Sequence, residues 1–355
     1  MTKDKLKIGI IGVGGISQMH IAAYRANPNA ELYAFCDIDK KRLEEKGKAY
    51  GITRLFTSAE EMCALPELDA VSVCTWNSAH APCVIAALNA GKHVLCEKPM
   101  ATDAAQAEEM LRAAERNGKI LAMGFVRRFG RDCAFAKDFA EAGALGEVYF
   151  AKAKYIRRDG NPGGWFGDRS RSGGGPLIDL GVHVIDLLRY LMGNPRPLSV
   201  SAATFDKLGN RSGLKLSQKG YLSETEESET VNNVEDFATA LIRFDNGAVL
   251  SVETSFCLNG RDSAEVALYG DKGGIEFEPK LTLYSEQNGY LVDVSPVPNP
   301  ALDIDDAFRA EIDDFLNAVR TGAPVKAPAE DGVLLMKILE SAYESARMGR
   351  EVEIR

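Results

Sequence analysis

The chain has 355 residues, 45% of them hydrophobic and 26% charged, which is ordinary for a globular protein and long enough for two domains. Its net charge of −9 argues against nucleic-acid binding, because an acidic surface repels phosphate backbones. No apolar run approaches the roughly 20 residues needed to span a membrane, and the first residues show no signal-peptide core. We therefore expect a cytoplasmic protein with no membrane partner.

Short apolar segments alternate with helical patterns over residues 1–125. Near-continuous apolar runs are typical of strands buried on both faces of a parallel sheet. The predicted strands are Leu6–Val13, Glu31–Asp37, Ala70–Thr75, His93–Cys96 and Ile120–Gly124, and the predicted helices are Ile16–Asn27, Lys40–Tyr50, Ala79–Ala90 and Thr102–Asn117. This alternation predicts an α/β Rossmann domain over residues 1–125, with a doubly wound and mostly parallel sheet.

The pattern changes after residue 125, where strands follow one another without intervening helices. The predicted strands are Val148–Ile156, Leu198–Phe205, Val234–Phe244, Ala248–Phe256, Ala264–Tyr269 and Gly273–Phe277, and the predicted helices are Arg131–Ala142, Pro176–Leu191, Ile304–Arg320 and Glu330–Gly349. Asn246-Gly247 is a strong hairpin signal between two of the strands. We predict an α+β domain over residues 126–355 with a large, mostly antiparallel open sheet.

An open sheet with helices on one face needs cover on the other. Self-association supplies such cover, so we expect a homodimer or homotetramer. The polar stretch 207–233 is predicted to be a solvated loop, with a flap at a site or interface as the alternative. The seven cysteines are odd in number and contain no C-x-x-C pair, which favours free thiols in a reducing compartment.

A glycine-rich turn follows the first predicted strand. It reads Gly12-x-Gly14-Gly15-x-Ser17 and leads into a predicted helix. In dinucleotide-binding turns the first glycine allows a tight bend, the second lets the backbone approach a pyrophosphate, and the helix N-terminus stabilises the negative charge. Ser17 stands where the pattern has a third glycine, and it is small enough for close packing. A glycine turn without a nucleotide is the alternative interpretation.

Asp37 ends the second predicted strand, 25 residues after Gly12. An acidic residue at this point is suited to bond the ribose hydroxyls of a dinucleotide. Since a carboxylate repels a 2′-phosphate, NAD is favoured over NADP. The neighbouring Lys40, Lys41 and Arg42 keep NADP as the less favoured cofactor.

Two further polar segments follow predicted strands. The first runs from Thr75 to His80, and the second is Glu97-Lys98-Pro99. Open α/β sheets bind ligands at the carboxyl ends of their parallel strands. We therefore expect both segments to contribute to a ligand site, with a solvated turn as the alternative for the second.

An acid–base pair lies in a glycine-preceded helix. Asp179 and His183 are four residues apart, so a helix places them on one face. Histidine exchanges protons readily near neutral pH, and a nearby carboxylate orients it and stabilises its charged form. Asp186 falls on the same side, which raises a metal site as an alternative. Zinc needs three or four converging ligands. The third interpretation is that Asp179 and His183 are an ordinary pair on a helix surface.

The sequence resembles the Gfo/Idh/MocA oxidoreductases, the glucose–fructose oxidoreductase and inositol dehydrogenase group, over nearly the whole chain. Five segments in order carry the resemblance: the glycine turn, Glu97-Lys98-Pro99, Gly124-Phe125 with Arg128-Phe129, Gly146-Glu147-Val148 and Asp179-x-x-x-His183. The resemblance implies that Lys98, Asp179 and His183 are catalytic, and that the Lys98–Pro99 bond is cis. Trp76 stands where the family often has proline, which leaves the fold unaffected.

The resemblance implies hydride transfer between NAD and a secondary alcohol carbon of a sugar, sugar derivative or cyclitol. In this scheme His183 removes the hydroxyl proton, Asp179 holds His183, and Lys98 stabilises developing negative charge. The candidate cofactor residues are Gly12, Gly14, Gly15, Ile16, Asp37, Ile38, Thr75, Trp76, Asn77, His80, Glu97 and Lys98. The candidate substrate residues are Lys98, Arg127, Arg158, Asp159, Trp165, Asp179 and His183. No metal is expected.

Two other functions share the same nucleotide site. An NAD-dependent glycosidase oxidises a ring hydroxyl transiently, eliminates the aglycone and then reduces the ring again, so it yields no net NADH. A non-catalytic NAD(H) sensor is the other, and the joint presence of Lys98, Asp179 and His183 argues against it.

Overall fold

A computed structural model of the chain describes residues 5–209, 211, 214, 223, 231–278 and 280–355. They form two compact units, one drawn from residues 1–126 and 304–336 and the other from residues 127–303 and 337–355. Most of the predicted loop 207–233 lies outside the described residues. No helix in the described part of the chain is long and apolar enough to cross a membrane.

The first unit is built on a six-stranded sheet in which all strands are parallel. Its strands are β1 (Leu6–Ile11), β2 (Ala30–Cys36), β3 (Leu55–Phe56), β4 (Ala70–Val73), β5 (His93–Glu97) and β6 (Leu121–Gly124). Its connecting helices are α1 (Ser17–Ala26), α2 (Lys40–Tyr50), α3 (Ala59–Cys63), α4 (His80–Asn89) and α5 (Ala104–Asn117). The strand order β3-β2-β1-β4-β5-β6 is that of a doubly wound dinucleotide-binding sheet, which confirms the predicted Rossmann fold.

One helix of the first unit comes from far along the chain. Helix α9 (Ile304–Thr321) buries an apolar stripe that includes Ile312, Phe315 and Leu316. These side chains join the core cluster that contains Ile21 and Tyr24 of α1. The sequence pattern predicts that this stretch belongs to the second domain, whereas the structure places residues 304–336 in the first unit. The stripe shows that α9 is amphipathic, but only packing decides which layer covers it.

The second unit contains a nine-stranded sheet. Its strands are β7 (Val148–Ile156), β8 (Pro197–Phe205), β9 (Phe237–Phe244), β10 (Val249–Ser255), β11 (Ser263–Gly270), β12 (Gly273–Glu276), β13 (Thr282–Gln287), β14 (Tyr290–Val294) and β15 (Val352–Glu353). Its helices are α6 (Arg131–Glu141), α7 (Arg169–Ser172), α8 (Val182–Leu191) and the later part of α10 (Ala329–Met348).

The order of this sheet is β14-β13-β12-β11-β7-β10-β9-β8-β15. Every neighbouring pair is antiparallel except β7 and β10, which run parallel. The mostly antiparallel sheet confirms the prediction. The turn at Asn246-Gly247 joins β9 and β10 as expected, with Gly247 at φ 86° and its N–H bonded to the Phe244 carbonyl.

The two faces of this sheet differ in burial. Along β7, Ala151 and Ala153 are buried, while Lys152 and Lys154 on the alternate face are partly exposed. The Lys152 Nζ lies 2.8 Å from the Glu265 Oε1 on β11. On the same face Phe150 stacks on Tyr269, with ring centroids 5.9 Å apart. The lysine-bearing face is therefore a partly exposed surface with both apolar and paired charged groups.

Candidate active site

The glycine turn after β1 has the shape that a pyrophosphate requires. Gly12 has φ +85°, and a Cβ added there would lie 2.7 Å from the Cys74 carbonyl oxygen. A Cβ added at Gly14 would meet no atom within 4 Å, so the backbone is open at this point. The Ser17 hydroxyl donates to the Gly14 carbonyl at 2.6 Å. Because Ile16, at the N-cap of α1, provides no side-chain cap, an anion is the natural partner for the helix N-terminus.

Asp37, just after β2, is bonded to the glycine turn. Its Oδ2 accepts from the Val13 N–H at 2.9 Å, and its Oδ1 accepts from the Asp39 N–H at 2.9 Å. Arg42 Nη1 lies 3.6 Å from Oδ2. The next side chain, Ile38, is 68% exposed. The carboxylate therefore retains lone pairs for ribose hydroxyls, and the nearby guanidinium is the cation that a 2′-phosphate would need.

The segment after β4 is held by His80. Its ring is fully buried, with Nδ1 2.7 Å from the Pro99 carbonyl oxygen and Nε2 3.1 Å from the Thr75 carbonyl oxygen. Burial lowers the pKa of His80, against the opposing effect of the two carbonyls. A neutral imidazole donates from one nitrogen only. His80 thus lies between two loops, and any effect on a cofactor passes through Thr75, the partly exposed Trp76 and the buried Asn77.

Lys98 stands out from a buried segment. Between Val94 and Ala101, every residue except Lys98 is buried. The Lys98–Pro99 peptide bond is cis, as the resemblance implied. Glu97 is buried, and its Oε2 accepts from the Lys98 N–H at 3.1 Å. Like His80, Glu97 is buried and offers no exposed side chain for direct contact with a ligand.

Asp179 and His183 stand out in the same way in the second unit. Residues 174–189 are all buried except these two. Asp179 lies in a π-helical turn, Leu177–Gly181, that runs directly into α8. Wide turns of this kind occur often at functional sites. The helical backbone keeps residues four apart on one side, so the predicted pair has the shared face that proton transfer needs.

Glu235, which no sequence motif indicated, holds the start of this helix. Its Oε2 accepts from the Gly175 N–H at 2.9 Å, and its Oε1 accepts from the Leu177 N–H at 3.3 Å and the Tyr343 hydroxyl at 2.8 Å. The side chain is 3% exposed, and burial raises its pKa against these hydrogen bonds. A Cβ added at Gly175 would lie 2.3 Å from the Glu235 carbonyl oxygen, which explains why a glycine precedes the helix.

Asp186 belongs to an ion pair. Its carboxylate accepts two hydrogen bonds from Arg128, Nε to Oδ2 at 2.9 Å and Nη2 to Oδ1 at 2.6 Å. Both side chains are buried. Among the described residues no group of three or more His, Cys, Asp or Glu side chains could hold a metal ion. A bidentate pair of this kind gives Asp186 a structural role on α8, the helix that also carries His183.

The candidate substrate residues differ in their surroundings. Arg127 donates to Asp132 through Nη2 at 3.2 Å, and its buried Nε has no hydrogen-bond partner among the described residues. Arg158 is exposed and Asp159 partly exposed. Trp165 is partly exposed in a short 3₁₀ helix and stacks on Phe166 at 4.0 Å. These side chains offer donors, an acceptor and a ring face, the groups that bind polyols.

The doubly wound sheet, the open glycine turn and the acidic residue after β2 define an NAD-binding oxidoreductase. The chain belongs to the Gfo/Idh/MocA family: residues 6–125 match the model described as oxidoreductase family, NAD-binding Rossmann fold, and residues 137–354 match its C-terminal alpha/beta domain. Both the predicted family and the predicted NAD-binding domain are confirmed.

Similar proteins cover the chain from end to end. The chain is 35% identical to the D-glucoside 3-dehydrogenase of Escherichia coli (strain K12), over 100% of this chain and 99% of that protein. It is 28% identical to the myo-inositol 2-dehydrogenase of Thermotoga maritima, over 98% of each. Among solved structures, levoglucosan dehydrogenase in complex with NADH is 26% identical, has a TM-score of 0.85, and is matched over 99% of this chain and 100% of that one.

Proposed function

We propose that this oxidoreductase interconverts a secondary alcohol and a ketone on a sugar, sugar derivative or cyclitol, with NAD as the redox partner. The observation that carries the proposal is the burial pattern. Asp179 and His183 are the two positions of the buried stretch 174–189 that reach the surface. A helix that buries every other side chain and presents an acid–base pair is suited to proton transfer.

Three residues have distinct chemical roles in this reaction. NAD, when bound, would supply C4 of its nicotinamide as the hydride acceptor. His183 removes the proton from the substrate hydroxyl, and Asp179 stabilises the imidazolium that results. Lys98 donates a hydrogen bond to the same oxygen and stabilises its developing negative charge. In the reverse direction His183 returns the proton. The Gly12–Ser17 turn would hold the pyrophosphate, and Asp37 would hold the adenosine ribose.

D-glucosides are the first substrates to test, with oxidation at C3. This choice rests on the 35% identity to a D-glucoside 3-dehydrogenase, while the inositol relative supports cyclitols as the second class. Trp165 would stack on a sugar ring face, and Arg127, Arg158 and Asp159 would bond hydroxyls.

One spectrophotometric screen tests the proposal. Sugars, glycosides and cyclitols are each offered with NAD or NADP, and both cofactor reduction and aglycone release are measured. We expect net NADH from at least one compound, and no NADH from the same compound with His183→Ala. Aglycone release without net NADH would assign the protein to the NAD-dependent glycosidases instead. No turnover across the screen, with NAD bound, would favour a sensor.

We also propose that the protein is a cytoplasmic homodimer or homotetramer. Its seven cysteines are free thiols, which suits a reducing compartment. The face of the large sheet that carries Phe150, Lys152 and Tyr269 supplies the contact, since it combines stacked aromatic rings with paired charges. Light scattering at micromolar concentration should give at least twice the chain mass of 38.5 kDa, and a mass of one chain would contradict the proposal.

A further inference from the structure

A buried chain of polar groups leads to the backbone of Lys98. Glu97, at the end of β5, uses both carboxylate oxygens: Oε2 accepts from the Lys98 N–H at 3.1 Å, and Oε1 lies 2.8 Å from Nε2 of His20 on α1. His20 is completely buried. The position of the Lys98 main chain is thus tied, through one carboxylate, to a histidine 78 residues earlier in the chain.

The other side of His20 is equally well bonded. Its Nδ1 lies 3.2 Å from the Ser72 hydroxyl on β4, and that hydroxyl lies 2.8 Å from the Tyr24 hydroxyl on α1. One arrangement satisfies every group: Tyr24 donates to Ser72, Ser72 donates to Nδ1, and a neutral His20 donates from Nε2 to Glu97. The ring therefore has a single orientation and a single useful tautomer, which a lone histidine–carboxylate contact would not ensure.

Helix α9 closes this pocket. The Phe308 ring packs edge-on against the His20 ring, with centroids 5.4 Å apart and planes at 60°. Glu311, one turn later, is 1% exposed, and neither of its carboxylate oxygens has a hydrogen-bond partner among the described residues. Burial and the nearby Glu97 raise the pKa of Glu311.

The charge of Glu97 follows from its partners. Burial raises its pKa, but the hydrogen bond from His20, together with the charge and the backbone N–H of Lys98, outweighs burial and holds it below its usual value. These opposite shifts favour the charged form at Glu97 and the neutral form at Glu311. At a buried site a hydrogen bond to a carboxylate is strong and directional, so His20 restrains Glu97 effectively.

We propose that His20 is a positioning residue for Lys98. Acting through Glu97, it fixes the main chain from which the Lys98 side chain extends, so that the ammonium group is held where the substrate oxygen is to be bound. The inference rests on the proposed function of Lys98. Small displacements of a positioned group cost about 100-fold in rate, which sets the size of the expected effect.

The test compares five variants by kcat, KM for NAD and thermal midpoint. His20→Leu removes both hydrogen bonds at similar volume, and we expect kcat to fall roughly 10- to 100-fold with KM for NAD within a few-fold of wild type. His20→Gln keeps a donor toward Glu97 and should recover most of the lost kcat. Ser72→Ala leaves the His20–Glu97 bond in place and should lower kcat only a few-fold, which provides a measurement if His20→Leu does not fold.

His93→Leu is the matched control. His93 lies at the opposite end of β5 from Glu97, and its Nδ1 accepts from the Ile120 N–H at 3.1 Å. This substitution should lower the thermal midpoint and leave kcat unchanged. A kcat for His20→Leu within threefold of wild type, or an equal loss in His93→Leu, overturns the inference.

Lys98→Ala separates this inference from the proposed function. If Lys98→Ala retains full turnover, the proposed role of Lys98 is wrong, and with it the basis of the inference. If Lys98→Ala is strongly impaired while folded His20→Leu is not, only the positioning role of His20 is wrong. Impairment of both, with partial recovery in His20→Gln, supports the two together.

Discussion

The two units present their candidate site residues in different ways. In the first unit the nucleotide turn is a backbone feature: Gly12 takes a positive φ against Cys74, and Gly14 leaves open space. In the second unit the site is a side-chain feature: Asp179 and His183 project from a helix whose start is held by Glu235, more than 50 residues later in the chain. The first depends on local geometry, and the second depends on a distant carboxylate.

This difference determines how each site should respond to substitution. In a tight backbone turn the effect of a substitution is all-or-none, because an added Cβ either collides with a neighbouring atom or meets open space. The position of Asp179 and His183 should respond more gradually, because the hydrogen bonds that hold the start of their helix can be removed one at a time.

The largest effect is expected at His183. Its replacement by alanine removes the proposed proton acceptor, so turnover should fall roughly 10²- to 10⁴-fold. NAD affinity, measured by fluorescence titration, should remain close to wild type, because the glycine turn belongs to the other unit. Near-normal turnover of His183→Ala with the identified substrate would make the Asp179–His183 pair structural.

The next largest effect distinguishes Gly12 from Gly14 in the turn after β1. Gly12→Ala places a methyl group 2.7 Å from a carbonyl oxygen at φ +85°, so the free energy of unfolding should fall by about 2–5 kcal/mol. Gly14→Ala meets no protein atom, so its thermal midpoint should match wild type while its NAD affinity falls. Equal midpoints for the two variants in the absence of NAD would contradict this account.

Substitution of Glu235 tests whether the helix that carries Asp179 and His183 depends on this carboxylate. Glu235→Gln replaces one acceptor oxygen with an amide that faces the Gly175 N–H or the Tyr343 hydroxyl, and it should lower the free energy of unfolding by about 1–3 kcal/mol and also lower kcat. Tyr343→Phe removes one of the four hydrogen bonds that Glu235 accepts, the fourth being from Arg169, and should have a smaller effect on both. Denaturant unfolding and steady-state kinetics on the two variants measure the difference. Unchanged kcat in folded Glu235→Gln would show that the helix keeps its position without the carboxylate.

The preference between NAD and NADP should change to a similar extent. Asp37→Ser removes a carboxylate that would bond the ribose hydroxyls, so NAD binding should weaken by about 1.5–3 kcal/mol and the gap to NADP should narrow. Adding Arg42→Ala removes the guanidinium 3.6 Å from Asp37 and should cost NADP more than NAD. Titration of both cofactors by fluorescence gives the ratios. Tighter binding of NADP than NAD by the wild-type protein would refute the role of Asp37.

The smallest effect concerns Glu311, the buried carboxyl group near Glu97. Because the pKa of Glu311 is raised above its ordinary 4.5 in the folded protein, the folded state holds a proton that the unfolded chain releases. Stability therefore falls as pH rises above about 4.5 toward the folded-state value. Glu311→Gln lacks this titration, so its thermal midpoint relative to wild type should increase between pH 5 and pH 8. A constant difference across that range would show that Glu311 titrates normally.

Local signals were sufficient for much of the fold. The parallel strands, the helices between them and the Asn246-Gly247 turn are encoded by residue spacing over a few positions. The same signal was present and missed at Asn288-Gly289, where both residues have positive φ, 52° and 80°, and join β13 to β14. An asparagine–glycine pair between β-prone runs predicts such a hairpin.

Other features had no local signal. The apolar stripe of α9 identifies an amphipathic helix, but nothing in the stripe names α1 as its neighbour. Asp186 has the sequence spacing of a metal ligand. The tertiary structure instead pairs it with the buried Arg128, which no local pattern indicated.

The sequence by itself determined the positions where the backbone must bend and the residues that can move protons or bind a dinucleotide, because glycine conformation, strand and helix period and acid–base chemistry are local properties. The tertiary structure alone decided which of those residues stay at the surface and what holds them. His20, Glu97 and Glu235 are ordinary polar residues in the sequence. They gain their roles from burial, since a polar group removed from water must take its hydrogen bonds from whatever the fold places beside it.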